Sequence, residues 1–91
     1  MTDRKTSQPK YFILQAQIDE AESQCTEAGA IASNMYGNKN EVIYHTCRAA
    51  AFAMKATSLT LQRYPRDITD ANDWLERAIT QLELAQRKLS L

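Results

Sequence analysis

The stretch 41–63 constrains the fold more than any other part of this sequence. Its residues follow a helical pattern, and apart from His45 the only ionic side chains short of its ends are Arg48 and Lys55. A helix that is apolar nearly all the way round is normally buried, because a surface helix confines its apolar residues to one stripe. We therefore predict that residues 41–63 form a central helix covered by the rest of the chain.

Turn-forming residues are scarce, since the 91 residues include only two Gly and two Pro. A sheet protein needs many turns, so this scarcity favours a few long helices. We predict helices over about 9–36, 41–63 and 68–89. They form a single domain, 9–91, behind a flexible polar N-terminal lead, 1–8. Gly37 is expected to end the first helix, Asn40 to cap the second, and either Asp67 or Thr69 to cap the third.

Each predicted helix carries an apolar or small residue at alternating spacings of three and four, which is a heptad seam. The seams consist of Tyr11, Leu14, Ile18, Ala21, Cys25, Ala28, Ala32 and Met35; of Ile43, Cys47, Ala50, Met54, Thr57 and Leu61; and of Ile68, Ala71, Leu75, Ala78, Leu82, Ala85 and Leu89.

The three seams also match one another in height. Residues at one level of an antiparallel pair have position numbers with a constant sum, which is 75 for the first two seams and 132 for the last two. Two short turns make the helices run up, down and up. The sequence therefore predicts an all-α, up-down-up three-helix bundle with heptad-like packing.

If the seam of the central helix points inward, a second apolar stripe on this helix points outward. His45, Phe52 and Leu59 occupy that stripe at seven-residue spacing. A free bundle normally places polar residues there, so the stripe predicts a surface that binds a protein. The alternative is a skewed bundle that takes Phe52 and Leu59 into its core. The predicted partner-binding residues are Val42, His45, Arg48, Ala49, Phe52, Lys55, Ala56 and Leu59.

Arg48 and Lys55 at the edge of this stripe favour ion pairs over ligand binding. The constant sum places Glu83 level with Arg48 and Glu76 level with Lys55. Such interhelical pairs are common in bundles and contribute roughly 0–1 kcal/mol each. Trp74, near the start of the third helix, is expected to cover one end of the core.

No set of residues in the sequence predicts catalysis, a metal site or a cofactor. A single histidine, His45, cannot build the usual metal site, and Cys25 and Cys47 fall on seams among small residues. No Gly-rich loop or Ser/His/Asp set is present. We therefore predict a protein that is not an enzyme.

Eleven basic and eleven acidic residues give a formal net charge of zero. Nucleic-acid binders usually carry a basic excess, because contacts with phosphates supply their affinity. A nucleic-acid partner is thus disfavoured but stays an alternative, using Lys39, Arg48, Lys55, Arg63 and Arg66. No stretch is long and apolar enough to span a bilayer, so we expect no membrane association and a cytoplasmic location.

These observations together favour a protein-interaction module over an enzyme or a nucleic-acid binder. It would bind itself, as a homodimer through the central helix, or a larger protein complex through the same outer face. A chain of this size would then serve as an adaptor or as a small inhibitor or immunity-type regulator.

Overall fold

The computed structural model describes residues 2–90, with side chains from Lys10 to Ser90. The chain forms three helices, α1 (Thr2–Ser33), α2 (Asn38–Arg63) and α3 (Thr69–Ser90), and no strand within the described part. The predicted all-α, up-down-up three-helix bundle is confirmed. Helix α1 already begins inside the predicted lead 1–8; the flexibility of that lead stays a prediction, and Met1 lies outside the described residues.

The turn between α1 and α2 differs from the predicted one. The prediction that Gly37 ends α1 is wrong, because α1 ends at Ser33. Gly37 has a positive φ of 111°, but with a ψ of 157° it is the residue directly before α2, which begins at Asn38. Asn40 therefore lies inside the first turn of α2, and its side-chain amide donates to the carbonyl of Tyr36 at 2.8 Å. The prediction that Asn40 caps α2 is wrong, because the glycine allows the chain to enter the helix earlier.

The turn between α2 and α3 is held by two carboxylates. The side chain of Asp67 accepts a hydrogen bond from the backbone N–H of Thr69 at 3.3 Å, so of the two candidates Asp67 is the one that binds the first N–H of α3. The guanidinium of Arg63 donates to Asp70 at 2.8 Å and lies 3.8 Å from Asp67. The last turn of α2 is thereby tied to the first turn of α3.

Helix α2 lies between α1 and α3 and contacts both. Among the described residues, no Cα atom of α1 comes within 8 Å of one in α3. The Cα atoms span 57 × 24 × 16 Å. The Cα atoms of three helices side by side span about 21–25 Å. This is the sum of two interaxial distances of about 8–10 Å each and the Cα diameter of one helix, about 4.6 Å. The bundle is therefore an open layer that leaves two faces of α2 uncovered by helices.

Small residues fill the two helix interfaces. The buried apolar residues in the described part are Ile18, Ala32, Ala49, Ala51, Ala56, Ala71, Ala78 and Ala85. Because α3 contacts only α2, its three alanines pack against α2. In α1, Gly29 is buried as well, and a Cβ placed on it would lie 3.4 Å from the Cβ of Cys47. Small side chains let the helices approach closely.

Large apolar side chains lie mostly outside these interfaces. Fourteen of them are exposed among the described residues, and Ile43, Leu14, Leu75 and Leu82 of the predicted seams are in this group. The expectation that every seam residue points into a closed core is therefore wrong, and Thr57 is exposed too. The physical reason is that α1 and α3 pack on opposite sides of α2 and do not close over its seam.

The total surface is larger than that of a compact monomer of the same mass. The chain exposes 6904 Å², whereas a compact monomer of this mass exposes about 5,400 Å². Its radius of gyration is 16.0 Å, against about 12 Å for a compact domain of this length. Both differences are consistent with the elongated shape, which is 57 Å long.

Candidate protein-interaction surface

One open side of the layer carries the heptad seams, and we call it the seam face. Its centre is a groove of about 530 Å³ to which all three helices contribute. The groove is lined by Leu14, Ile18, Met54, Thr57, Leu61 and Leu75, together with Ala56 and Thr60. The seam face is therefore an apolar surface that runs across the layer, with α2 along its middle.

The apolar surface continues beyond this groove along α3. Leu75 and Thr60 are shared with a second hollow, which also includes Tyr64 and Ile68 at the α2–α3 turn. The heptad spacing places Leu82 two turns beyond Leu75 on the same side of α3, and its exposed fraction is 48%. Apolar side chains thus line the seam face along most of the length of the layer.

Charged side chains are rare on the seam face. By helical periodicity its flanking positions on α1 are Gln17 and Gln24, those on α2 include Thr46, and those on α3 include Asn72 and Gln86. Lys10 and Lys39 lie on this side only at its two ends. A broad apolar centre with a neutral polar border is typical of a surface that contacts protein.

The opposite side of the layer, which we call the cation–aromatic face, is built from Tyr44, Arg48, Phe52, Lys55 and Trp74. The guanidinium of Arg48 lies 5.0 Å from the ring centre of Phe52 and 5.4 Å from that of Tyr44. The rings of Phe52 and Trp74 lie 5.3 Å apart. Cations over aromatic rings at such distances attract the ring faces by about 0.5–1 kcal/mol at exposed sites.

Lys55 links all three helices across this face. Its ammonium lies 3.3 Å from the carboxylate of Glu22 in α1 and 5.0 Å from the ring centre of Trp74 in α3. The predicted pairing with Glu76 is therefore wrong. Arg48 likewise lies over rings and has no carboxylate within salt-bridge distance among the described residues, so its predicted pairing with Glu83 is wrong too.

Trp74 does not cover an end of the core, as the sequence led us to expect. It lies half-buried beside Phe52, and the guanidinium of Arg77 covers its ring at 4.5 Å. Trp74 therefore packs against α2 at the edge of the α2–α3 interface, on the cation–aromatic face. Its surroundings on this face are cationic as well as apolar.

The predicted partner-binding stripe is not an outward stripe in the structure. Ala49 and Ala56 are only 3% and 2% exposed, so their predicted accessibility to a partner is wrong. The reason is that α3 lies along this side of α2. The other six residues are half-buried: Val42, His45, Arg48, Phe52, Lys55 and Leu59. Whether those six bind a partner stays a prediction.

The two residues with reactive side chains, His45 and Cys47, contact different helices. The Nδ1 atom of His45 lies 2.8 Å from the side-chain oxygen of Gln81 in α3. Cys47 faces α1 instead, next to Gly29. The two side chains therefore contact different neighbours and do not form a nucleophile–base pair. No group of three or more potential metal ligands occurs in the described part of the chain.

The cations named for a nucleic-acid partner do not form one patch. Arg63 is bound to Asp70, and Lys55 is bound to Glu22. Lys39 and Arg63 lie at opposite ends of α2, about 36 Å apart at 1.5 Å per residue. Phosphate contacts gain affinity from several unpaired cations acting together, and this arrangement does not supply them.

Comparisons of this chain with protein-family models, with curated proteins and with solved structures found no match. No described helix has the length and apolarity needed to cross a bilayer. The function is therefore inferred from the two faces of the layer. Sequence reasoning placed every seam residue inside the bundle, and the small ones on α3, such as Ala71 and Ala78, are indeed buried. The exposure of large seam residues such as Leu75 could not be found without the relative positions of α1 and α3.

Proposed function

We propose that this protein is a non-enzymatic interaction module that binds another protein chain through its seam face. One observation carries the proposal: the chain buries mainly alanines between its own helices and leaves its large seam residues exposed on one side. Large apolar side chains supply most of the free energy of burial, at about 25 cal/mol per Å². A partner that covers the seam face would bury the large apolar side chains that the single chain leaves exposed.

The lack of charge on this face supports the same proposal. Interface centres are depleted of charged residues, because an ion without a partner is costly to remove from water. On the cation–aromatic face, by contrast, Lys55 is already paired with Glu22 at 3.3 Å. By presenting this surface to a partner, a module of this size would act as an adaptor, or as a small regulator of inhibitor or immunity type.

The proposal is tested by placing a charge on each of two exposed apolar residues. Leu75 lies on the seam face and is 45% exposed, whereas Phe12, away from the groove, is 77% exposed. We expect Leu75→Glu to abolish association and Phe12→Glu to leave it unchanged, because only the first puts an unpaired carboxylate into the interface.

Association is measured by affinity purification with mass spectrometry and by light scattering, on both variants and the natural chain. Circular dichroism checks that each variant keeps its helical content. Equal retention of the same protein partners by Leu75→Glu and by the natural chain would contradict the proposal. Loss of helical content would direct the test to Leu82→Glu, at a seam residue with similar exposure.

A further inference from the structure

Arg48 differs from the other cations that lie between the helices of this layer. Lys55, Lys88 and Arg63 each lie within 3.3 Å of a carboxylate on a neighbouring helix. Arg48 is half-buried, yet no carboxylate in the described part of the chain lies within 4 Å of it, and no described residue accepts a hydrogen bond from it. A partly buried cation is normally paired, because an ion without a partner is costly to remove from water.

The aromatic rings around Arg48 attract its charge but do not satisfy its hydrogen-bond donors. Its guanidinium lies 5.0 Å from the ring centre of Phe52 and 5.4 Å from that of Tyr44. A ring face stabilises a cation electrostatically, whereas the five N–H groups of a guanidinium donate to oxygen atoms. A carboxylate presents two oxygens that match this fork of donors. The rings thus fix the position of a group that can still bind a carboxylate.

Arg48 lines a hollow of about 280 Å³ between α1 and α2. The buried small residues Gly29 and Ala51 form its floor, and Tyr44 and Phe52 line it as well. Pockets that enclose a drug-sized ligand measure about 300–1,000 Å³, so this hollow has the size for a single side chain. Among the described residues that line it, Arg48 alone is charged.

The two aliphatic hydroxyl groups that α1 contributes to the hollow are already used as donors. Thr26 donates to the backbone carbonyl of Glu22 at 2.9 Å, and Ser33 donates to that of Ala30 at 2.7 Å. Neither hydroxyl has a hydrogen left for an anion, because each carries only one. An anion in the hollow would therefore depend on the guanidinium of Arg48.

A second guanidinium lies on the same face, beyond the pair of aromatic rings. Arg77 lies 4.5 Å from the ring centre of Trp74, whose ring lies 5.3 Å from that of Phe52. These contacts place the guanidiniums of Arg48 and Arg77 at most about 15 Å apart. Asp73, one turn before Arg77, is not within salt-bridge distance of it. An extended chain advances about 3.3 Å per residue, so acidic residues up to about four positions apart reach both guanidiniums.

We propose that the cation–aromatic face binds an acidic peptide segment of another protein. A glutamate or aspartate side chain of the segment enters the hollow and accepts two hydrogen bonds from Arg48, and a second carboxylate binds Arg77. The other acidic side chain close to this site, Glu22, does not oppose it, because Lys55 neutralises it at 3.3 Å. The inference goes beyond the proposed function, since the site lies on the side of the layer opposite the seam face.

The arrangement favours a peptide over the other ligands that carry anions. A nucleic acid binds such a surface by stacking its bases on free ring faces, but Tyr44, Phe52 and Trp74 each have a cation over the ring. A free carboxylate would make one partly exposed ion pair, which stabilises a complex only slightly. A peptide adds the contact at Arg77 and therefore binds more tightly.

Fluorescence anisotropy of labelled peptides tests the site in the full chain. The probe is a flexible peptide of alternating glutamate and glycine, and its counterpart has glutamine in place of glutamate. We expect the natural chain to bind the glutamate peptide about tenfold more tightly, because hydrogen bonds between ions are stronger than neutral ones. Arg48→Gln should remove this preference. Equal binding of both peptides by the natural chain would overturn the proposal.

Lys39→Gln is the matched control, since it removes the same charge from an exposed residue at the start of α2, outside the cation–aromatic face. We expect it to leave the affinity for the glutamate peptide unchanged. Equal weakening by Lys39→Gln and by Arg48→Gln would mean that the total charge of the chain attracts the peptide. The assignment of the site to Arg48 would then be wrong.

Circular dichroism checks that each variant keeps its helical content. If Arg48→Gln loses it, Arg48→Lys takes its place, because a lysine keeps the charge and an apolar stem beside the rings. The compact ammonium cannot bind a carboxylate as a fork, so we expect weaker binding of the glutamate peptide than by the natural chain. An unchanged affinity would overturn the role of the guanidinium.

Two further probes separate the possible sources of the anion. A labelled oligothymidylate tests a nucleic acid, and glutarate, added as a competitor, tests a free carboxylate. We expect the glutamate peptide to bind more tightly than the oligonucleotide and to stay bound when glutarate supplies an equal concentration of carboxylate. Tighter binding of the oligonucleotide, or displacement of the peptide by glutarate, would overturn the proposal.

Discussion

The seam face and the cation–aromatic face lie on opposite sides of the same helix, and the chain treats them differently. On the cation–aromatic face, long side chains reach across α2: Lys55 joins Glu22 of α1, and Phe52 packs on Trp74 of α3. On the seam face, Met54 and Leu61 line a groove that stays open. Side chains therefore bridge the helices across the cation–aromatic face, whereas the seam face keeps an open groove.

The difference follows from the reach of the side chains. Lys, Arg and Trp extend far enough to bridge two helices in a layer, and their apolar stems cover α2 on the way. The seam residues next to α2 on its neighbours are often alanines, such as Ala71 and Ala78, which cannot reach over it. We conclude that apolar character alone does not decide which face of a central helix is buried within one chain.

The largest expected effect is a difference between the two faces in how the thermal midpoint depends on protein concentration. If the seam face binds a second copy, the thermal midpoint of the natural chain rises with protein concentration. Leu61→Glu should abolish this dependence, whereas Leu59→Glu, two residues away on the cation–aromatic side, should lower stability and keep it. At a concentration 100 times Kd the loss at Leu61 amounts to about 2.7 kcal/mol. A midpoint that does not vary with concentration in the natural chain would contradict this expectation.

A smaller effect is expected at the aromatic contact of α2 with α3. Phe52→Ala removes the ring that packs on Trp74 at 5.3 Å. Complete burial of Phe gives losses of about 3–5 kcal/mol on such truncation, and for this half-buried ring we expect roughly 2 kcal/mol. Urea unfolding measures the loss, and Trp74 fluorescence should shift to the red. Phe12→Ala is the control, and an equal loss there would mean that the contact with Trp74 contributes nothing.

The smallest expected effect concerns the ion pair between α1 and α2. Lys55→Met removes the charge 3.3 Å from Glu22, and both side chains are partly exposed to water. We expect a loss in the free energy of unfolding below about 1 kcal/mol, which decreases further with added salt. Urea unfolding at low and high salt, with Lys39→Met for comparison, checks this. A loss that is independent of salt would show that the stem of Lys55, and not its charge, covers α2.

Much of the fold could be predicted from the sequence, since local rules determine helices. The heptad spacing and the scarcity of Gly and Pro indicated three helices, and the positive φ of Gly37 followed from its place in the turn. The cap at Asp67 was one of two open choices, because neighbouring residues in a turn offer competing hydrogen-bond acceptors. The relative heights of α1 and α2 also followed, since Gly29 adjoins Cys47 within one residue of the predicted sum. Those of α2 and α3 did not, because the contact of His45 with Gln81 lies six residues off the predicted sum.

The sides on which α1 and α3 pack could not be predicted in this way. A heptad seam shows which residues share a stripe, but it does not show whether two neighbours close over that stripe or flank it. On α2, small residues beside the seam, including Ala49 and Ala56, are more deeply buried than the large seam residues. Because α3 packs on this side of α2, it buries Ala49 and Ala56 of the predicted partner-binding stripe and leaves Leu75 exposed.

The sequence by itself thus determined that this protein forms three helices, each with one apolar seam. Only the tertiary structure decided which seam residues are buried between helices, such as Ala78, and which are exposed, such as Leu75. The physical reason is that helical periodicity is a property of each segment, whereas the angle between α1 and α3 around α2 depends on which pairs of surfaces approach most closely.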